Sequence, residues 1–312
     1  MPSSAVSVEA LEKMRIVAKA PRGQRIREAM VNAGVYILLV AVSLPIVVMY
    51  TWLFISSISK RTLFGFIPRG LTWNNWRFLW GEIVIGARAY TSIWPVTLNT
   101  FLFAGGVMVL VVVVSTLSGF ALSRFQFRGR SQLMQMTMLL HAFPGVTLLI
   151  AIFYILYTIS KVPLIGPIFG LNSIWGVVLV KAALEIPMSS WIVKGFFDDI
   201  PWDIEWAAYV DGCSRFQAWR KVILPVVRPG IAAIAIFSFL AGWSEFLYLF
   251  TFIFDQKNYT LSLFVKQAIG DFKFVDYGLL TASALFYMIP PLLFFIFTQK
   301  ALLRVSFGGI KG

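Results

Sequence analysis

Ionisable side chains are rare in the apolar stretches of this chain, and the few that occur there are its first candidates for chemistry. Lys181 and Glu185 stand four residues apart, while Glu245 and His141 each lie in a separate apolar segment. A charge at the centre of a bilayer costs about 2.5–3.5 kcal/mol on insertion scales, so each such residue needs a reason. Lys181 and Glu185 share one face of a helix and can neutralise each other.

Two interpretations of these residues stay open. The pair Lys181 and Glu185 either faces a subunit interface or lines a path for a solute. His141 stands near Pro144, which predicts a packed, hydrogen-bonded side chain at a helix kink. Two aromatic residues lie near Glu245, namely Trp243 and Tyr248. They either pack in the core or stack on the rings of a bound solute.

The composition excludes several other classes of site. There is one cysteine, Cys213, and one histidine, so neither a disulfide within the chain nor a cysteine- or histidine-rich metal site is expected. No carboxylate pair or nucleophile with a neighbouring base supports an enzyme. Of 312 residues, 59% are hydrophobic and 13% charged, where a soluble domain has about 25% charged residues. This composition is typical of a membrane protein.

Six segments are apolar and long enough to cross a bilayer, which takes about 20 residues in a helix. Backbone groups in lipid must be satisfied within the segment, so these segments are predicted to be helices and the chain an all-α membrane protein. The predicted spans are 31–59, 93–123, 131–160, 173–195, 229–254 and 277–299.

The net charge of +13 is explained by lysines and arginines that flank these spans. Segments 1–30 and 124–130 are strongly basic, and five lysines and arginines stand between Lys194 and Arg228, which predicts that all three segments are cytoplasmic together with the C-terminus. Segment 1–30 is also a plausible membrane-surface anchor. A chain largely embedded in lipid offers no basic groove for nucleic acid. The long loop 60–92 then lies outside and is predicted to pack as a small cap.

A polar insert separates the fourth and fifth spans. Pro201, acidic residues in the next turn and Gly212 predict a short helix with a left-handed stop. Ser214 and Gln217 have the spacing of a capping box at the start of a second helix, which Pro225 is expected to end. A solvated loop is the simplest interpretation. A DNA-binding helix–turn–helix fits poorly, because its recognition helix would lie against the membrane.

This insert resembles the EAA loop of ABC-importer permeases, here residues 203–229. The matching positions are Ala207, Ala208, Asp211, Gly212, Phe216, Leu224, Pro225 and Pro229. "FLAGWSEFLYLF", "NYTLSLFV", "FGGIKG", "NNWRFLW", "TLNTFLFA" and "LSRFQFRGR" resemble the carbohydrate branch, in particular the second permease of maltose-type systems. The resemblance extends from about residue 35 to Gly312, so 31–312 is expected to form one transmembrane domain.

The resemblance implies a non-catalytic permease subunit of the bacterial inner membrane. Its partners would be two ATPase subunits that hold ATP and Mg²⁺, a second homologous permease and an external solute-binding protein. The chain lacks a Gly-x-x-x-x-Gly-Lys-Ser/Thr sequence, so it binds no nucleotide in that manner. The implied ATPase-docking residues are Asp203, Glu205, Trp206, Ala207, Ala208, Asp211, Gly212, Cys213, Ser214 and Arg215.

The implied cargo is a sugar or oligosaccharide. Basic residues in the outer loop suit an anionic uronate chain, and they equally suit an acidic binding protein; they are Arg61, Arg69, Arg77 and Arg88. The alternatives are a permease for a polyol or glycerol phosphate, a stand-alone secondary transporter, and a membrane enzyme or receptor. The last two lack a coupling-ion site and a catalytic set, respectively.

One position departs from the family pattern. The first Glu of the motif falls at Trp206, and Glu205 stands one place earlier. One residue on a helix is a rotation of about 100°, so Glu205 cannot simply replace the missing carboxylate. A contact with the ATPase is therefore either absent or made by Trp206. Cys213 occupies a position where the family favours Ala and is expected to be a small packed residue.

Overall fold

The computed structural model describes residues 22–63, 66–85, 88–269 and 276–308. Most of the predicted cytoplasmic segment 1–30 and the last four residues of the tail lie outside these ranges. Four helices are long and apolar enough to cross a membrane: α1 (Arg22–Ser57), α2 (Trp94–Arg124), α6 (Ile174–Asp198) and α13 (Tyr277–Gly308). They correspond to the first, second, fourth and sixth predicted spans.

The third predicted span is two helices rather than one. α3 (Arg130–His141) ends just before Pro144, a 3₁₀ turn covers Gly145–Leu148, and α4 (Leu149–Ser160) follows. Proline disfavours helix at the preceding residue and removes a backbone donor, which explains the break. His141 therefore stands at an interruption of the apolar segment.

The fifth predicted span is also interrupted. α10 (Arg228–Trp243) and α11 (Leu247–Phe252) are separated by Ser244, Glu245 and Phe246. The Glu245 carboxylate accepts the Tyr248 N–H at 3.0 Å, and the Glu245 carbonyl accepts the Ser262 hydroxyl at 2.9 Å. These bonds satisfy polar groups at the break, which is what an interrupted helix at membrane depth requires. The fifth predicted span is thus helical in two parts, with the interruption at Glu245.

The remaining elements are short. α5 (Gly166–Phe169) precedes α6, and α12 (Leu261–Ile269) precedes α13. The polar insert consists of α7 (Trp202–Val210), α8 (Arg215–Ala218), a π-helical turn at Trp219–Ile223 and α9 (Leu224–Val226). The second helix of the insert runs past Pro225, contrary to expectation. Pro225 stands in the first turn of α9, where no backbone donor is needed. The axis instead bends by 72° between Val226 and Arg228.

The loop between α1 and α2 contains strands, so the chain is not wholly α-helical. β1 (Ser59–Leu63) pairs antiparallel with β2 (Ile67–Leu71), and β3 (Ile83–Ile85) pairs with β4 (Arg88–Tyr90). A 3₁₀ helix, Asn74–Leu79, lies between the hairpins. The Asn75 amide donates to the carbonyls of Ser57 and Ser59, both at 3.0 Å, and ties this small cap to the end of α1. The open edges of such hairpins expose backbone groups that water can satisfy and lipid cannot.

The core forms where α2 packs between α6 and α10. Gly119 lets the α2 and α6 backbones approach closely, since a Cβ there would lie 3.1 Å from the Lys194 nitrogen and 3.2 Å from the Ser190 carbonyl oxygen. The Ser118 and Ser190 hydroxyls are 2.7 Å apart across the same contact. Helix pairs in membranes are usually stabilised by close packing at small residues and by hydrogen bonds between hydroxyl groups. α13 packs on α10, and α1 packs on α13. The described apolar side chains of α1 are almost all exposed.

Candidate functional site

Two sites can be built from these elements: a charged cluster within the helix bundle and the polar insert. In the first, Lys181 of α6 lies 3.0 Å from Glu185 one turn later and 2.9 Å from Glu245 at the break between α10 and α11. The predicted pair is thus part of a cluster of three charges, with one cation against two carboxylates. All three side chains are largely buried, so the cluster links α6 to the broken helix.

A cavity of about 370 Å³ lies beside this cluster. Four of the six predicted path or interface residues line it: His141, Lys181, Glu185 and Tyr248. The His141 Nδ1 atom lies 3.1 Å from the Leu184 carbonyl oxygen, and since a carbonyl only accepts, Nδ1 carries the proton in this bond. Aromatic side chains together with an imidazole, an ammonium and a carboxylate around one cavity are suited to a polar solute with many hydroxyls.

The other two predicted residues do not face the cavity. Glu245 lies behind Lys181 and caps the start of α11. Trp243 donates its indole N–H to the Tyr287 carbonyl at 3.1 Å, and the Tyr287 hydroxyl donates to the Trp243 carbonyl at 2.6 Å. Trp243 is therefore a packing residue that joins α10 to α13. Gly145 also lines the cavity, and the sequence did not indicate it. A Cβ at this position would lie only 2.2 Å from the Tyr248 hydroxyl oxygen, so a glycine leaves room for that side chain.

The polar insert begins at α7, which the sequence places correctly. Asp211 ends the helix, and Gly212 has φ +83°, the left-handed conformation that glycine adopts without strain. The Ser214 hydroxyl accepts the Gln217 N–H at 3.3 Å while the Gln217 side chain accepts the Ser214 N–H at 2.9 Å. The predicted capping box at the start of α8 is confirmed.

Ser214→Ala should lower the free energy of unfolding by about 1 kcal/mol, because it removes one side of this capping box. The expected readout is a small fall in the thermal midpoint of the purified protein. Gln217→Ala should give a similar fall, since each side chain satisfies one backbone donor. An unchanged midpoint in both variants would show that the cap contributes nothing in the folded protein.

The inner face of α7 holds a buried ion pair. Glu205 is only 4% exposed and its Oε2 atom lies 2.9 Å from Nε of Arg124, the last residue of α2. The Tyr209 hydroxyl donates to Glu205 Oε1 at 2.6 Å. Burial and this bond raise the pKa of Tyr209 to about 12. Sequence reasoning missed Arg124 and Tyr209; the spacing of Glu205 and Tyr209 on one helix face was the available signal.

The outer face of the insert is exposed and partly apolar. Trp206 is 59% exposed, and Val210, one turn later, and Phe216 on α8 are exposed as well. Six more of the predicted docking residues are exposed as well: Asp203, Ala207, Asp211, Gly212, Ser214 and Arg215. Ala208 is buried and Cys213 is half-buried. The one-residue offset therefore turns Glu205 inward and Trp206 outward.

No group of three or more His, Cys, Asp or Glu side chains in the described part of the chain could hold a metal ion.

Comparisons with known proteins agree on one family. Residues 112–304 match the family model described as a binding-protein-dependent transport system inner membrane component. The maltose/maltodextrin transport system permease protein MalG of Salmonella typhimurium (strain LT2) is 29% identical over 302 residues, with 94% of this chain and 98% of that protein covered.

Two further relatives are also named for carbohydrates. The maltodextrin transport system permease protein MdxG of Bacillus subtilis is 30% identical, covering 69% of this chain and 74% of its own length. The sulfoquinovosyl glycerol transport system permease protein SmoH of Agrobacterium fabrum is 29% identical over 69% and 72%. A chain of a bacterial ABC transporter involved in alginate import has the same fold, with a TM-score of 0.68, 18% identity, and 90% and 98% coverage.

Proposed function

Since this chain belongs to the family of binding-protein-dependent transport system inner membrane components, we propose that it is the permease subunit of an ABC importer for a sugar or oligosaccharide. The observation that carries the proposal is the insert between α6 and α10. Its inner face is fixed by a buried ion pair, and its outer face presents exposed apolar side chains. Such a surface is suited to attachment of a partner subunit.

The proposed partner at this face is an ATPase subunit. Trp206, Val210 and Phe216 are the anchors, because large exposed aromatic and aliphatic side chains supply most of the energy of protein interfaces. ATP and Mg²⁺ bind to the partner, and this chain is a non-catalytic subunit. A complete importer contains two ATPase subunits, a second homologous permease and a solute-binding protein on the far side.

Six membrane crossings are the proposed topology. α1, α2, α6 and α13 each cross once, α3 with α4 forms the third crossing, and α10 with α11 forms the fifth. The insert lies between the fourth and fifth crossings and therefore on the cytoplasmic side, with both termini. The hairpin cap lies on the opposite side, where its arginines face the binding protein.

The cargo that fits the cavity best is an uncharged sugar. Lys181 is the cation in the described cavity wall, and two carboxylates already neutralise it. A uronate chain or glycerol phosphate would therefore find no unpaired cation in the part of the cavity wall that this chain contributes. The relatives named for maltose, maltodextrin and sulfoquinovosyl glycerol support a carbohydrate. The basic outer loop is then a surface for an acidic binding protein.

Uptake assays with matched oligosaccharides test the cargo. Vesicles that contain the complete importer should respond to neutral oligosaccharides with both transport and stimulated ATP hydrolysis, and show little response to uronate chains of equal length. A stronger response to uronates would identify the anionic chain as the cargo and assign the outer arginines to it.

Site-directed crosslinking tests the docking face. In a Cys213→Ala background, single cysteines placed along 203–215 should crosslink to the ATPase subunit in membranes, with the highest yield at exposed positions such as Trp206. Cysteines in the hairpin cap are the control and should give no such product. Absence of crosslinks from every position of the insert would exclude it as the docking element.

A further inference from the structure

The guanidinium group of Arg124 makes contacts with the start of the insert from three directions. It pairs with Glu205 at 2.9 Å, donates from Nη2 to the Ile200 carbonyl at 3.1 Å and lies 4.7 Å from the centre of the Trp202 ring. A planar guanidinium with several donors can hold such a set at once, whereas an ammonium group cannot. One side chain at the end of α2 thus contacts Ile200, two residues before α7, as well as the first residue and the first turn of α7.

The ion pair between Arg124 and Glu205 is buried, which makes the loss of either partner costly. The Arg124 and Glu205 side chains are 4% and 5% exposed, respectively. Removing one member of a buried pair leaves an uncompensated charge, which is far less favourable than losing an exposed pair. The Tyr209 hydroxyl holds the other Glu205 oxygen, so that carboxylate is occupied within the chain and is not presented to a partner.

A second set of contacts joins the same end of α2 to α6. The Ser123 hydroxyl donates to Asp198 at 2.6 Å, and Lys194 pairs with Asp198 one turn away. Close packing at Gly119 continues the contact along the two helices. The other end of α2 is bonded to the segment before α12. The Asn99 amide donates to the Lys257 and Tyr259 carbonyls. The Thr100 hydroxyl accepts the N–H of Leu261, the first residue of α12.

We propose that Arg124 is a positioning residue that fixes the insert to α2, so that the insert, α2 and α6 move as one body. This inference rests on the proposed docking of an ATPase at the outer face of the insert. A displacement imposed on Trp206 is then delivered through Arg124 to α2, and through α2 to the opposite end of the bundle. Without Arg124 the insert still binds the ATPase but moves independently of the helices.

Crosslinking within the chain tests the attachment without any partner. Cys213 and Phe125 line one cavity of about 500 Å³ beside the ion pair. Phe125→Cys therefore creates a single pair for a short bis-maleimide reagent with the native cysteine. Crosslinking should be efficient with Arg124 present and fall severalfold in Arg124→Met. An equal yield and rate in both proteins would overturn the proposal.

Coupling assays test the consequence in the complete importer. Arg124→Met should retain ATPase copurification and basal ATP hydrolysis, while transport per ATP hydrolysed falls by about tenfold or more. Arg124→Lys should recover part of that ratio, because it keeps the charge and loses the fork of donors. Lys257→Met is the matched control: it removes an exposed ion pair with Asp255, outside the insert, α2 and α6, and should leave the ratio near that of the unmodified importer.

The outcomes separate this inference from the proposed function. If the unmodified chain neither binds an ATPase nor transports, the proposed function fails, and the intramolecular crosslink still reports on Arg124. A normal transport-to-hydrolysis ratio in assembled Arg124→Met would overturn the positioning role. Should Arg124→Met not fold, Tyr209→Phe removes only the hydroxyl that orients Glu205; a several-fold lower ratio in that variant supports the proposal, and an unchanged ratio contradicts it.

Discussion

Replacing Lys181 with methionine should destabilise the folded protein by about 3 kcal/mol, because two carboxylates are left together in the bundle without a cation. Glu245 is nearly buried and Glu185 is partly exposed, so the value is placed at the low end of the range for buried pairs. The thermal midpoint of the detergent-solubilised protein and its steady-state level in membranes measure the effect.

Matched variants show whether charge is the cause. Lys257→Met breaks the ion pair with Asp255, which is exposed and lies at 3.1 Å, so it should change the midpoint little. The triple variant Lys181→Met, Glu185→Gln, Glu245→Gln has no charge at the three positions of the cluster. It should regain most of the stability that Lys181→Met loses. A triple variant as unstable as Lys181→Met alone would show that packing around the lysine, and not charge balance, holds the cluster.

The same triple variant separates the two interpretations of the cluster. If the charges only join α6 to the broken helix, the neutral protein should assemble and transport. If they contact the solute, the neutral protein should assemble with its partners but transport poorly, with the loss expressed in the affinity for the sugar. The cavity beside Lys181, Glu185 and Tyr248 favours the second outcome.

The second large effect is expected at the docking face. Trp206→Asp should weaken ATPase binding by about 2 kcal/mol or more, roughly 30-fold, because a central exposed aromatic anchor is replaced by a charge. The permease itself should remain folded, since the Trp206 side chain is exposed and lies only edge-on to the Tyr209 ring. Retention of the ATPase during purification at increasing dilution measures the change.

Trp73→Asp is the matched control for this experiment. Trp73 is also exposed, but it lies in the cap between α1 and α2, on the face proposed to be opposite the ATPase. Its replacement should leave ATPase retention unchanged. Trp206→Glu adds a direct test of the family motif: weaker binding than with tryptophan would show that the partner groove is apolar at this position, and tighter binding would assign the groove to a carboxylate.

Local patterns were sufficient for much of the insert. The caps at Gly212 and Ser214 depend on residues within four positions of each other, and both form as predicted. The spacing of Lys181 and Glu185 is likewise local. The four uninterrupted spans follow from their apolar length alone.

Long-range contacts were not accessible in the same way. Apolar composition reports that a segment can lie in lipid but not that its helix is continuous. Pro144 gave a local signal for the kink near His141, whereas no such signal marked the break at Glu245. The third member of the charged cluster comes from another helix. Arg124 was recognised only as a basic flank of a span, because its partner Glu205 is far away in the chain and one residue removed from the family position.

The outward tryptophan bears on which ATPases this permease can share with other importers. Bacteria that run several such systems can supply one ATPase to more than one permease only if the docking surfaces are equivalent. With Glu205 held inside by Arg124 and Trp206 outside, a groove that receives a carboxylate at the first position of the motif would meet an indole ring here. We expect this permease to be selective for ATPases with an apolar groove, so that exchange of subunits between transporters is limited at a single residue.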